Sequence, residues 1–227
     1  MKNNFTKIAA FILIAIFICA CNAVKRVPDG KFLLTKNDII VNDKSTSDET
    51  ASNQMYQKPN GTLLGYRLRL NLYNLANLNP DSTYQAKFQN NPGKYERQSK
   101  LLSAKQVDRL GQSFLYKGIH EFLKNTGEAP VIIDTSKTKK SLLRLKYYYF
   151  NNGYFNVKTA YNIDTTGFKK AKINYNITTG PAYTLDSIRS TISTPALDSL
   201  HKRITEPTFL KSGNQYRITD FEEEKTR

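Results

Sequence analysis

Cysteine is almost missing from this 227-residue chain: there are two, Cys19 and Cys21, both at the end of an N-terminal apolar segment. No disulfide can tie later elements together, so the remainder must hold itself by burying a core, and its length allows one or two small domains. Tryptophan is absent and histidine occurs twice, at His120 and His201. With no cysteine near either histidine, no zinc-type donor set is legible. Nor is there a glycine-rich phosphate loop or a G-x-S-x-G elbow. The sequence therefore offers no catalytic residue, no cofactor and no metal, and it reads as a non-enzyme. Acidic residues are also scarce, 19 against 34 Lys and Arg, for a formal net charge of +15. The basic residues are scattered (Arg67 and Arg69; Lys94, Arg97 and Lys100; Lys137, Lys139 and Lys140; Lys169, Lys170 and Lys172) and are not interleaved with aromatics as in RNA-binding motifs. Attraction to an anionic membrane surface, or plain solvation, is the expected role of these charges, not nucleic-acid binding.

What is present begins with an export signal. Ile8 to Ala20 is an unbroken apolar run of 13 residues behind Lys2 and Lys7, too short to span a bilayer but sufficient for a signal-peptide core, so residues 1–20 are expected to be removed. The run ends Ile18-Cys19-Ala20-Cys21, a small residue before a cysteine, which resembles a bacterial lipoprotein signal. That resemblance implies cleavage after Ala20 and diacylation of Cys21; the plain alternative is a secretory signal with a coincidental cysteine. Residues 21–30 read as a basic tether ending in the turn Pro28-Asp29-Gly30.

The fold class expected is α+β. Phe32 to Val41 reads as a first strand, Asp43 to Ser52 as a polar loop, Asn53 to Leu78, whose leucines have both 2- and 3.6-residue spacings, as helix in preference to strand, and Asn79 to Lys100 as an exposed loop. Ser103 to Lys124 has helical spacing in Val107, Leu110, Phe114, Leu115, Ile119, Phe122 and Leu123, with a possible kink at Gly111. Pro130 keeps Ala129 out of a helix, and Asp134 or Thr135 can cap the helix that follows. Its stretch Leu142 to Phe150 carries Leu142, Leu145 and Tyr149 on one face, and Gly153 stands where a left-handed C-cap is expected. Phe155, Val157, Thr159, Tyr161 and Ile163 then alternate with Asn156, Lys158, Ala160 and Asn162, the period of a half-buried strand. Ala171, Ile173, Tyr175 and Ile177 repeat the pattern, and Thr179-Gly180-Pro181 ends it. A further strand at Tyr183 to Ile192, a helix opening at Pro195 and a capping box at Thr219 to Glu222 are expected after that.

Three strings carry a resemblance. YYYFNNGYFNVKTAYNID followed by KKAKINYNITTGPAYTLDSI resembles the polypeptide-transport-associated (POTRA) domains of the BamA/TamA outer-membrane assembly superfamily. QKPNGTLLGYRLRLNLYNL and GEAPVIID resemble signatures of its lipidated TamA-like (TamL) members, in the same order along the chain. The resemblance implies a first POTRA-like domain over 31–180, with an insertion near 53–100, and an incomplete second one over 181–227. Gly153 and Gly180 would be its structural turns. Further POTRA domains and a barrel, which the family carries, are not in this sequence, so it reads as a truncated frame or part of a longer chain.

The function implied is that of a lipid-anchored receptor portion of an outer-membrane protein assembly or translocation factor, in the outer membrane of a Gram-negative cell and facing the periplasm. Unfolded outer-membrane proteins would be its clients, other assembly-machinery subunits its partners, and the membrane surface would be reached through the lipid anchor. Clients would add a strand to an edge formed by Phe155, Asn156, Val157, Lys158, Thr159, Ala160, Tyr161, Asn162 and Ile163. Alternatively, the chain is a solitary adaptor lipoprotein that handles no client, and the edge is covered by the 53–78 insertion. For the anchor, intact mass of membrane-extracted protein should show loss of residues 1–20 and a gain of lipid at Cys21, with Cys21→Ser left uncleaved; an unlipidated mature chain would refute it.

Overall fold

The structure is a computed structural model, which describes residues 22–189, 191–203 and 208–226. The signal segment, Ala20 and Cys21 lie outside the described residues. The fold is α+β: a mixed sheet of four strands with several helices. Strand β1 (Leu33–Val41) turns into β2 (Lys44–Thr46), and β3 (Lys158–Gly167) turns into β4 (Lys170–Thr178), in the order β2-β1-β4-β3. The β1–β2 pair is antiparallel, with Val41 opposite Lys44. Asn42 and Asp43 between them have φ +48° and +65°, the two left-handed residues of a tight hairpin turn. A polar loop was expected here, yet Asn and Asp are the non-glycine residues that best tolerate this conformation. The amides of Leu33 and Asn42 donate to the carbonyls of Lys169 and Ile177, so β1 and β4 advance together as a parallel pair. Only two residues separate β3 from β4, which requires that pair to be antiparallel.

The chain divides into two compact units, one of residues 22–35, Pro59–Ile132 and Gly167–Lys170, the other of Lys36–Lys58, Ile133–Thr166 and the described residues from Ala171 onward. The division does not fall at Gly180.

In the first unit, residues 22–27 are no tether. Val24 and Val27 are buried with Leu33 and Leu70, and the segment is bonded to helix α2 (Leu68–Leu75), which follows the one-turn helix α1 (Glu49–Ser52). The Asn74 amide donates to the carbonyls of Asn22 and Ala23, Lys25 donates to the Asn74 carbonyl, and Arg26 donates to that of Ala76 while lying over the Tyr73 ring. Helix occupies little of the 53–78 stretch. Leu63 to Tyr66 is instead a tight turn, and Leu68–Leu75 alone is helical.

The stretch expected as an exposed loop forms two helices, α3 (Pro80–Gln89) and α4 (Pro92–Leu101). Each opens on Asn-Pro, and proline at the first helical position gives up an amide that would have had no partner there. Neither helix has a buried residue, which is why hydrophobic periodicity missed them. Ser103 to Lys124 breaks into α5 (Ala104–Gly111), a π-helical turn (Phe114–Gly118) and α6 (Ile119–Thr126). At Gly111 a Cβ would stand 2.6 Å from the Tyr84 ring. Val107 is buried, but Phe114, Leu115 and Phe122 are exposed, because α6 meets α2 with His120 and Gly127: the Asn77 amide donates to His120 Nδ1, and Gly127 lies against the Tyr73 backbone.

The second unit is built on helix α7 (Thr135–Asn151) and the sheet. Asp134 is the N-cap, accepting from the amides of Ser136 and Lys137 at 2.8 and 3.3 Å. Thr138, Ser141, Leu145 and Tyr149 form the buried stripe. Ala171, Ile173, Tyr175 and Ile177 are the buried face of β4. The Tyr175 hydroxyl lies near those of Thr138 and Ser141 without an ordinary hydrogen bond, and burial raises its pKa. Burial also pushes the Tyr149 phenol up to about 12.

Helix α7 ends in a Schellman motif: Tyr154 N–H donates to the Tyr149 carbonyl and Gly153 N–H to that of Phe150, with Gly153 at φ +86°. The Gly153 carbonyl accepts from the Tyr183 amide, and the Tyr183 carbonyl accepts from that of Tyr216. The strand expected at Tyr183 to Ile192 is therefore only a bridge, Thr184 opposite Gln215. Helices α8 (Pro195–Arg203) and α9 (Ile218–Thr226) follow. Thr219, expected as a cap, lies inside α9, its hydroxyl directed to Asp220. Gly180 does not have positive φ; its requirement is space, since a Cβ there would sit 3.3 Å from that of Asn156.

The two other family-like strings prove to be backbone clamps. Buried Asn60 donates through its side-chain amide to the Ala129 carbonyl (2.8 Å) and accepts from the Val131 amide (3.0 Å). Buried Gln57 accepts from the Asp134 amide at 3.0 Å. A side-chain amide has the same donor and acceptor as a peptide, so each residue stands in for a strand where the chain cannot supply one.

Two measurements check these points. Gly153→Val combines the left-handed φ with a Cβ 2.8 Å from the Tyr216 carbonyl oxygen and should cost about 2 kcal/mol or more, whereas Gly167→Val, at φ +159° but with nothing within 4 Å of its Cβ, meets no such clash and should cost less; equal shifts in thermal midpoint would refute the turn assignment. Asn60→Ala should cost about 2–4 kcal/mol in urea unfolding, because it strands a buried carbonyl and a buried amide; a loss below about 1 kcal/mol would show the clamp to be dispensable.

Candidate strand-docking edge

β3 stands at one end of the sheet and β2 at the other, and the two edges differ in length: ten residues against three. A three-residue edge presents too few free backbone groups to template another strand, which is one way proteins blunt an edge. Among the described residues β3 has no strand on its outer side, and none of its own residues is buried. Segment 53–78 contributes no strand to the sheet.

The residues expected along this edge are only partly in it. The strand runs Lys158–Gly167, so Phe155, Asn156 and Val157 precede it. Phe155 is drawn away by an aromatic cluster, its ring centroid 5.0 Å from Phe150, 5.1 Å from Tyr183 and 5.2 Å from Tyr216. Val157 is buried. Lys158, Ala160 and Asn162 face solvent, while Thr159 and Tyr161 are half-buried. Ile163 is 40% exposed, so the inward face fades toward the hairpin turn. Asp164, Thr165, Thr166 and Gly167, which the expected range omitted, complete the edge.

Charges pair along and across the solvent face of the sheet. Asp38 on β1 meets Lys36 at 2.7 Å and Lys172 on β4 at 3.9 Å, and Lys172 reaches Asp164 on β3 at 3.4 Å. The Asn176 amide donates to the Asn162 side-chain oxygen beside them. Such exposed pairs contribute little stability each, but like charges in a slipped register would repel.

A separate open cleft of about 650 Å³ lies in the second unit among Thr50, Arg144, Tyr148 and Arg217. Tyr148 donates to Asp48, the N-cap of α1, and the Thr50 hydroxyl is the largest of the influences that lower the Asp48 pKa. These contacts hold α1 against α7. Among the described residues no three His, Cys, Asp or Glu side chains converge as a metal site, and no helix is long and apolar enough to cross a membrane. No protein-family model matches the chain, and no curated protein or solved structure is significantly similar to it.

Proposed function

We propose that this chain is the lipid-anchored, periplasm-facing receptor part of an outer-membrane protein assembly or translocation factor, in which β3 takes up a strand of an unfolded barrel-protein client. The observation that carries this reading is the asymmetry of the sheet: one long, solvent-exposed edge and one blunted edge. Pairing through backbone N–H and C=O groups depends little on client sequence, which suits a receptor for many different barrel strands. Lys158 and Asp164 are the charges on the edge that deter self-pairing. The POTRA-like identity is supported by α7, the Gly-Tyr-Phe turn and the β3–β4 hairpin following one another in the order the family resemblance calls for. In this reading the protein is a binding module and not an enzyme; further subunits of the machinery and the membrane beneath the anchor are its other partners.

Photoreactive residues at Lys158, Asn162 and Asp164 should crosslink to an unfolded outer-membrane client, while one at Ser45 on the short edge should not, with the fold checked by circular dichroism. Crosslinks only to residues 53–78 of the same chain, or equal yields from Ser45, would overturn strand addition at β3. No crosslink to any client would favour an adaptor that handles none.

A further inference from the structure

The turn Leu63-Leu64-Gly65-Tyr66 in the first unit is strained and apolar at once. Leu63 and Tyr66 exchange both backbone hydrogen bonds at 2.9 Å, closing a two-residue turn in which Leu64 has φ +50° and Gly65 φ +82°. Leucine is poorly suited to that backbone, where asparagine or glycine is preferred. It is also 91% exposed, and its neighbours Leu63 and Tyr66 are 62% and 53% exposed. Folding thus gains nothing from leucine at this position, on either backbone or burial grounds, and a strained, solvated apolar apex on a closed turn points to use outside the chain.

Charge indicates what it meets. From Thr50 to Pro80 the sequence contains no Asp or Glu, while Lys58, Arg67 and Arg69 bracket the turn. One carboxylate comes near from elsewhere, Glu128, which accepts from the Gly61 amide at 3.3 Å. The start of the described chain adds a second argument: residues 22–27 pack directly on α2, and in sequence the apolar run ends at Ala20, two residues before Asn22.

We infer that the Leu63–Leu64 apex is an insertion point by which the first unit, which also carries the N-terminal segment, seats itself in the interfacial region of an anionic bilayer. Leu63 and Leu64 enter the acyl boundary, and exposed Arg69, which gives only its Nε to the Thr126 carbonyl, lies at the level of the headgroup phosphates, while Arg67 is turned inward to the Thr35 carbonyl. The inference uses the proposed anchor but not client binding at β3.

Because the chain has no tryptophan, a single Leu63→Trp substitution reports the site alone. In the full chain reconstituted into phosphatidylcholine vesicles containing phosphatidylglycerol, its emission should shift to the blue and be quenched by brominated lipid. Both effects should fall when phosphatidylglycerol is omitted. Tyr147→Trp on α7, the comparison, should show neither. Leu64→Asn in the Leu63→Trp background should raise the thermal midpoint, since asparagine accepts the left-handed backbone, while quenching falls about tenfold through loss of a buried leucine; a purely structural leucine would give the opposite sign of stability change. An unshifted Leu63→Trp, equal quenching at Tyr147→Trp, quenching at Phe122→Trp in its place, or a blue shift that depends on protein concentration without vesicles would each overturn the inference. Failure of the anchor reading is seen separately, as missing lipid in the intact mass.

Discussion

The conformation of one residue organises the sheet-bearing unit. Gly153 carries a backbone that a Cβ resists, and it does so within van der Waals reach of two other backbone segments. Because that residue is glycine, α7 can stop, the chain can reverse into β3, and the carbonyl of the same residue can receive the Tyr183 amide. The aromatic cluster of Phe150, Phe155, Tyr183 and Tyr216 closes over the same point. The turn is therefore where helix, hairpin and the C-terminal part of the unit are joined.

A second constraint runs through the irregular parts. A segment without its own ladder must still satisfy its buried backbone groups, and here asparagine and glutamine side chains do it. Asn60, Gln57, Asn74 and Asn42 each bond a distant backbone group, Asn42 accepting from the Thr179 amide. These amides make directed hydrogen bonds without a charge to desolvate, two each at Asn60, Asn74 and Asn42, which lets a chain with no disulfide between its folded elements hold non-repetitive segments in place.

The surfaces left over differ in kind. The exposed edge of β3 offers backbone, unselective by nature, while the Leu63–Leu64 apex offers apolar side chains held out by a strained turn. On the proposed readings the first suits a changing set of extended clients and the second a fixed, featureless partner such as a bilayer. The basic excess is compatible with both, because the edge carries Lys158 and Asp164 whereas the apex is followed by Arg67 and Arg69 in a stretch of sequence without acidic residues.

From sequence alone, the elements whose signals are local were legible: the α+β class, the cap at Asp134, the halt at Gly153, and the alternating face of β4, where every second residue is buried. These depend on backbone preference and on periodicity, both written within a few neighbouring residues. What only the tertiary structure decided involved partners far apart in the chain. Phe155 alternates as a strand residue should, yet three aromatic rings pull it out and delay β3 to Lys158. Residues 22–27 look like a tether until Asn74 and Leu70 engage them. Helices α3 and α4 have no fully buried residue, so only a weak apolar period announces them, and Leu115 and Phe122 keep helical spacing while staying exposed. The Asn60 clamp was visible only as a string without a role, because one side-chain amide reaching across 69 and 71 residues leaves no periodic trace. Local patterns fix what a segment can be; which face, which edge and which amide find a partner is settled by packing, whose free energy is shared among residues that sequence order keeps apart.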